Sequence, residues 1–499
     1  MARWPQPFRV TGLGLALLLV FAMPARGQDS LILGLVLEPP HLDPTAGTAA
    51  AIDEVVYANV FEGLTRIGPH GSVRPALAQR WSVSTNGRAY TFHLRQGVRF
   101  HDGTAFTAAD VKYSLDRARG EGSANAQKRL FAPIDRVEVI DDATVRLHLA
   151  RPAGDLPFTL GLGDAVIVAP ESAAKNKQRP IGTGPFRFAR WRRGDAIMLE
   201  RFQGYWGRAA PLQRAIFKII PDNNAAFAAV KAGVVHAFAN FPAPETLGLL
   251  ERDSDLRVVR GATEGETILA LNNGHPALSD IRVRRALAHA VDKRAVIKGA
   301  LFGNGTPIGT HFPPYHRAAL DLADFYPHDP GRARALLAQA GYAVGLRLRL
   351  ALPPPAYARR GGEIVAAQLR AVGVDVEIQA MEWAQWLERV FANKDYDMTI
   401  VAHTEPRDIG IYARPDYYFN YADPSFNALI DRLERSPDPA DRTRLLHKAQ
   451  RKLAEDAVNV FLFQLPKLGV WDRRLRGLWH DSPVQANDLS EVRWAEDPA

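Results

Sequence analysis

Short apolar runs separated by turn chemistry fill the first part of the chain. Residues 31–37 are apolar and break at Glu38-Pro39-Pro40-His41-Leu42-Asp43-Pro44, a buried strand delivering a proline-fixed loop. Residues 52–64, with Val55, Val56, Val60 and Phe61 on one side, predict an amphipathic helix ending near Gly63. Tyr90, Phe92 and Leu94 then alternate with Thr91 and His93. Gln96-Gly97 turns the chain, and Val98 and Phe100 resume the alternation, which predicts a hairpin with one buried face. Thr107 stands three residues before Asp110, a capping-box helix start, and Val111, Ser114 and Leu115 supply its apolar face. A second hairpin is expected from the alternation of 137–140 and 144–149 around Asp141-Asp142.

Further along, Phe186, Phe188 and Trp191 lead through an Arg193-Gly194-Asp195 turn to a returning strand at 197–199. A strand at 216–220 is followed by a helix at 224–231 that stops at Gly233. Asp280 caps a helix whose Ala286, Leu287, Ala290 and Val291 face inward, with its arginines turned outward to solvent. Strands at 347–352, 374–379 and 398–402, with a helix at 363–372, give the strand–helix alternation of an α/β lobe. Two amphipathic helices, around 426–433 and 445–453, and an apolar strand at 458–465 close the pattern. No internal repeat or long low-complexity linker interrupts it.

Composition sharpens this picture at the ends. Arg3 and Arg9 precede an apolar run at 11–23, and Ala22, Ala25 and Gly27 offer small residues for cleavage, so 1–27 is expected to be a signal peptide. The run is shorter than the roughly 20 residues a membrane span requires. No cysteine is present, which removes disulfides, thiolate ligands and the usual lipid attachment point, and points to a Gram-negative periplasm. The net charge of +8 is interleaved with acids rather than gathered in a block, so no nucleic-acid arm is expected.

The string Arg74 to Arg117, RPALAQRWSVSTNGRAYTFHLRQGVRFHDGTAFTAADVKYSLDR, resembles the signature of the peptide-type (family 5) solute-binding proteins of bacterial ABC importers. These are the dipeptide, oligopeptide and nickel receptors. "LEPPHLDP", "VFEGLTR", the Ile181–Phe186 string IGTGPF, Tyr205-Trp206 and the Asp280–Leu287 string DIRVRRAL resemble further family landmarks. At Gly233-Val234-Val235-His236 the acidic residue usual in the family is missing. The resemblance implies an α/β, two-lobed periplasmic-binding-protein fold of class II type with an additional subdomain and an interlobe hinge. The implied division is 28–63, 178–270 and 484–499 for the main domain of lobe I, 64–177 for its extra subdomain, and 271–483 for lobe II.

It also implies function: a monomeric receptor that captures a peptide-like small molecule between its lobes and hands it to the permease subunits of an ABC transporter. No enzyme activity and no cofactor are expected. In peptide-binding relatives the first strand and loop line the cleft, which nominates Glu38 and Pro39. The stretch from His403 to Tyr421 mixes both charge signs with many aromatics and lacks regular periodicity, and it forms the richest candidate wall. His403 stands where the family usually has tryptophan, and either Glu405 or Asp408 is the acid for a ligand amine. Arg407 and Arg414 suit a ligand carboxylate in bidentate geometry. Tyr417, Tyr418, Trp383 and Trp386 could stack on or cap an apolar group, although Trp383 and Trp386 share a helix predicted over 382–390 and one of them is a candidate for core; Tyr412 in the same stretch is a further candidate ligand-binding residue.

Other function classes find less in the chain. The GTG triplet lacks a following Lys-Ser/Thr, and HExxH, GxSxG and Walker lysine patterns are absent. Nickel or haem transport is the alternative within the family, but the fourteen histidines show no pair at metal-ligand spacing. A sensory co-receptor would use the same cleft with a different membrane partner.

Overall fold

The computed structural model describes residues 29–47 and 49–495. The expected signal peptide lies outside them. Among the described residues no helix is long and apolar enough to cross a membrane.

A mixed sheet runs through both lobes. Its order is Val374–Ala380, Leu346–Leu352, Met398–His403, Leu256–Leu271, Val460–Asp472, Ala237–Phe238, Ser30–Leu35, Arg214–Ile219, Ala196–Arg201 and Phe186–Arg192. Leu256–Leu271 and Val460–Asp472 are long enough, at 16 and 13 residues, to belong to both halves. Their antiparallel register breaks between Ala262 and Glu266. On one side of the break they pair with the half-sheet that carries Ser30–Leu35, and on the other with the half-sheet that carries Met398–His403. The irregular Thr263-Glu264-Gly265 stretch is therefore where two rigid halves meet, the geometry of a hinge.

Each half has its own core. Leu31, Leu33, Val55, Phe61, Phe186 and Phe217 pack together in one. In the other, Leu287, Leu348, Leu350, Val374 and Ile400 form one cluster, and Tyr412, Tyr418, Phe426 and Leu445 a second. A separate four-stranded antiparallel sheet, ordered Ala78–Val83, Ala89–Leu94, Thr144–Leu149, Ile134–Asp141, is covered by the helix Ala108–Arg119. That helix starts as expected, with the Thr107 hydroxyl and the Asp110 carboxylate capping one another's backbone.

Three local expectations are corrected. Val98 and Phe100 are buried but do not return along Ala89–Leu94, because Ala78–Val83 already holds that edge through a turn at Ser84–Gly87. They instead form a corner with a single bridge, Arg99 to Ala105. The first helix ends at Val56 rather than near Gly63. Ala58 takes a left-handed φ of 60°, and Asn59 donates to Val55 O and Asn487 O while accepting from Leu489 N, so the chain turns early to join the C-terminal segment. Arg284 does not face solvent. It is buried, and its guanidinium donates to the carbonyls of Leu278, Ser279, Asp456 and Ala457.

The GTGPF string has a packing explanation. A Cβ on Gly182 would lie 2.1 Å from Val60 O, and one on Gly184 2.4 Å from Asn59 O, so the chain passes there only as glycine. Between them Thr183 donates to buried Glu62, which also accepts from Tyr205 and Trp206, so the Tyr-Trp pair serves the same knot.

Candidate ligand cleft between the lobes

A cavity of about 1030 Å³ opens between the two halves. One wall comes from His70–Val73, Ala126–Pro133 and Arg151–Asp164, and the facing wall from Phe312, Thr404–Gly410, Arg414 and the helices Pro424–Arg435 and Pro439–Glu455. The strand Met398–His403 delivers the Thr404–Gly410 stretch to the cavity, where Arg407 adopts a left-handed φ of 60°. That conformation turns the chain so that Asp408 starts a short 3₁₀ helix pointing back beneath the loop.

Ion pairs cross the cleft. The Arg407 guanidinium reaches Asp155 at 3.3 Å, donates to Gly71 O at 3.0 Å and lies 3.7 Å above the Phe158 ring. Asp155 also pairs with Arg442. Arg151 meets Glu434 at 2.6 Å, and Gly154 N donates to Glu434 O at 3.0 Å. The lobes are thus clasped by groups on the rim of the cavity itself, the closed arrangement of a hinged pair.

The predicted site residues divide into three sets. Glu405, Arg407, Asp408 and Arg414 line the cavity. His403, Tyr412, Tyr418 and Trp386 are buried behind this wall, and Tyr417 is packed against them. Tyr412 donates to or accepts from His311 Nδ1 at 3.2 Å, Tyr418 OH is 2.9 Å from His403 Nε2, and Trp386 Nε1 donates to Thr399. Their aromatic rings form the core beneath the loop rather than the surface above it. Trp383 is exposed on the outer face of its helical turn, away from the cavity lining. Glu38 accepts from Trp191 Nε1 and Gly194 N, and Pro39 is buried beside it, so both support the neighbouring hairpin instead of the cavity.

Reading the sequence alone missed two buried acids behind the Thr404–Gly410 wall. Glu264 accepts from the Tyr315 hydroxyl and from Arg407 N. Burial pushes its carboxyl up to about 7. Burial and the neighbouring Glu264 and Asp408 charges raise Glu266 well above its ordinary value. Burial also opposes ionisation of Asp408, but the charge and hydrogen bond of His311 outweigh it and the net shift is downward. Burial lowers His403 to about 4. The available signal was Glu264-Gly265-Glu266, two acids flanking a glycine just before the apolar run 268–271. Asp155, Arg442 and His311 carried no local signal, because their roles come only from the lobes meeting.

Glu264 makes a pH prediction. A carboxyl whose folded pKa of about 7 exceeds its ordinary 4.5 keeps a proton that the unfolded chain gives up. Its stabilising effect is full below that lower value and is lost as pH rises through the higher one. Glu264→Gln should therefore flatten the loss of stability between about pH 5 and 8, by on the order of 2–3 kcal/mol. Urea denaturation of both proteins across that range measures it, and parallel pH curves would exclude this role for Glu264.

Two lobes hinged on a pair of strands and clasped around a cavity describe a binding protein, and the sequence comparison decides which kind. Residues 72–428 match the family of bacterial extracellular solute-binding proteins, family 5 (middle). The chain belongs to this family. It is similar to the glutathione-binding protein GsiB of Pectobacterium atrosepticum, 29% identical over 455 residues, 86% of this chain and 87% of the relative. It is also similar to the dipeptide-binding protein of Escherichia coli K12, 31% identical over 348 residues, 64% of this chain and 65% of the relative. Among solved structures, the periplasmic binding protein DppA from Helicobacter pylori, in complex with the peptide STSA, superposes with a TM-score of 0.80 at 24% identity, covering 94% of this chain and 99% of that one. This family-5 protein thus shares the two-lobed α/β fold across nearly all of its length, and its family is one of solute binders.

Proposed function

We propose that this protein is the periplasmic receptor of an ABC importer for a short peptide or peptide-like zwitterion, exported by its N-terminal segment and acting as a monomer. The division expected from the resemblance shifts at the crossing strands in this reading: 466–483 joins 29–47, 49–63, 178–262 and 484–495, with the extra subdomain 64–177, in one lobe, and 266–465 makes the other. The observation that carries it is the cavity itself. At about 1030 Å³ it stands at the upper end of small-molecule sites, roughly 300–1,000 Å³, and suits a ligand of several residues or a smaller one with water.

The polar groups on its walls match the two ends of a peptide. Asp408 is already engaged by His311 at 2.8 Å, whereas Glu405 is exposed on the same wall with only the neighbouring Thr404 N as a donor. Glu405 is therefore the carboxylate that takes the ligand amine. Arg414 on the same wall and Arg129 on the facing one offer guanidinium groups to the ligand carboxylate. Relatives named for glutathione and for dipeptides agree with a zwitterion of this size.

The test is a thermal-shift and calorimetric screen of refolded, ligand-stripped protein against glutathione and di- to pentapeptides. At a hundred times the dissociation constant, a ligand that binds only the native state stabilises it by about 2.7 kcal/mol. No shift with any peptide, alongside a shift with sugars or free metal, would overturn the ligand class.

The clasp makes a second prediction. Asp155→Ala removes the acceptor that ties both Arg407 and Arg442 across the cleft. Because Asp155 is partly exposed, each pair is worth only about 0–1 kcal/mol. Dissociation of a bound peptide should therefore speed up a few-fold, with a larger radius of gyration in the ligand-free protein. Unchanged small-angle scattering and off-rate would show that the clasp does not hold the lobes.

A further inference from the structure

We propose that His311, His403 and Asp408 form a site for one divalent transition-metal ion of the zinc class, buried behind the Thr404–Gly410 wall of the cleft. The three side chains come from separate segments: His311 follows the strand Thr306–Pro307, His403 ends Met398–His403, and Asp408 begins the 3₁₀ helix Asp408–Ala413. Each offers one ligand atom, and the three atoms lie within 4.8 Å of one another.

The three groups are joined only in part by hydrogen bonds: His311 bonds Asp408, while His403 Nδ1 has a long 3.4 Å contact with Tyr417 OH. His311 Nε2 is 2.8 Å from Asp408 Oδ1, and His403 Nδ1 is 3.7 Å from Asp408 Oδ2, beyond hydrogen-bond reach. Donors about 2.0–2.2 Å from a tetrahedral zinc stand about 3.3 Å from each other, between those two values. The far nitrogens are held as metal-bound imidazoles require. His311 Nδ1 sits 3.2 Å from Tyr412 OH and His403 Nε2 2.9 Å from Tyr418 OH, so each ring is oriented with its remaining nitrogen toward Asp408.

Burial and charge complete the site. The side chains of His311, Asp408 and His403 are 1%, 7% and 8% exposed, which shields the donors from bulk water. Glu264 and Glu266 stand close enough to feel the Asp408 charge, with Arg407 beside Glu264 and Arg129 near Asp408. Two imidazoles and a carboxylate are the donor set of zinc sites that keep a fourth position open, and they also suit nickel and copper. Of the three, Asp408 belongs to the cavity lining, so the site adjoins the ligand space through that residue. The site stands independently of which solute the cleft accepts.

The experiment uses the full mature chain, stripped with EDTA and titrated with Co²⁺. One equivalent should enter with the intense visible bands of tetrahedral cobalt, and Zn²⁺ should displace it. His403→Gln and Asp408→Asn should each weaken binding by more than about 100-fold. Tyr418→Phe, which removes only an orienting hydroxyl, should cost about 10–100-fold. His148→Gln, in a distant hairpin, should change nothing. Absence of stoichiometric uptake, or uptake untouched by the ligand variants, would overturn the site. If the variants unfold, pulsed EPR of Cu²⁺ in the unaltered protein counts coordinated imidazoles; two support the site and one or none refutes it. Peptide binding measured in EDTA separates failure of this site from failure of the peptide reading.

Discussion

Arg284→Ala is expected to be among the most damaging substitutions in the molecule, with a loss of about 3–5 kcal/mol. The side chain is buried and donates to four carbonyls, at 2.8–3.1 Å, two in the turn just before the helix Ile281–Ala290 and two in the distant segment at 456–457. Removing it leaves several acceptors with poor access to water, and each unsatisfied buried group costs about 1–3 kcal/mol. Lys cannot reach four acceptors with one ammonium, so Arg284→Lys should recover only part of the loss. Arg282, on the exposed side and paired with Asp280, provides the control, since surface substitutions of this kind stay within about 0.5 kcal/mol. Urea denaturation of the three variants measures the difference. Equal stabilities for Arg284→Ala and Arg282→Ala would refute the structural role.

Arg284 also shows where reading the sequence reaches its limit. Periodicity places Val283, Ala286, Leu287 and Ala290 on the buried stripe, and position 284 lies at its edge, three residues before Leu287. Residue type tipped it outward, because a charged side chain is rarely buried unless paired. What reverses the assignment is the set of free carbonyls at 278, 279, 456 and 457, two of them more than 170 residues away and invisible to local pattern. The same division holds elsewhere. Alternation identified the strand Thr144–Leu149 because it has one buried face. It misassigned Val98 and Phe100 because burial on alternate residues does not require a sheet partner.

In the candidate site, composition marked the right stretch of chain but not the facing of its side chains. Mixed charge and aromatics drew attention to 403–421, and Glu405, Arg407, Asp408 and Arg414 do reach the cavity. Tyr412 and Tyr418 carry the same aromatic signal and yet are only 1% exposed, because they bury the underside of the loop against Phe426 and Trp386. An aromatic in a loop reports that the loop packs, and only the tertiary arrangement says on which side. Likewise, 92 positions separate His311 from His403, a distance no ligand-spacing motif spans.

Glu405→Gln is expected to weaken peptide binding about 10–100-fold, while Asp408→Asn acts mainly through the fold of the cleft wall. The contrast follows from what each carboxylate already does. Asp408 spends one oxygen on His311 and holds the other near His403, so a ligand amine would have to compete with groups built around it. Glu405 accepts only a 3.3 Å contact from Thr404 N and projects from the wall. An amine arriving there gains a charge-assisted hydrogen bond, worth about 1.5–3 kcal/mol, that glutamine provides only as a neutral acceptor. The predicted signature is therefore asymmetric. In calorimetry with glutathione and with a dipeptide that binds the parent protein, Glu405→Gln should raise Kd while leaving Tm of the ligand-free protein unchanged. Asp408→Asn should lower that Tm, since His311 loses its ionised partner in a buried setting. Binding lost in Asp408→Asn at unchanged Tm, with Glu405→Gln indistinguishable from the parent, would move the amine partner to Asp408 and leave Glu405 as a solvated residue of the rim.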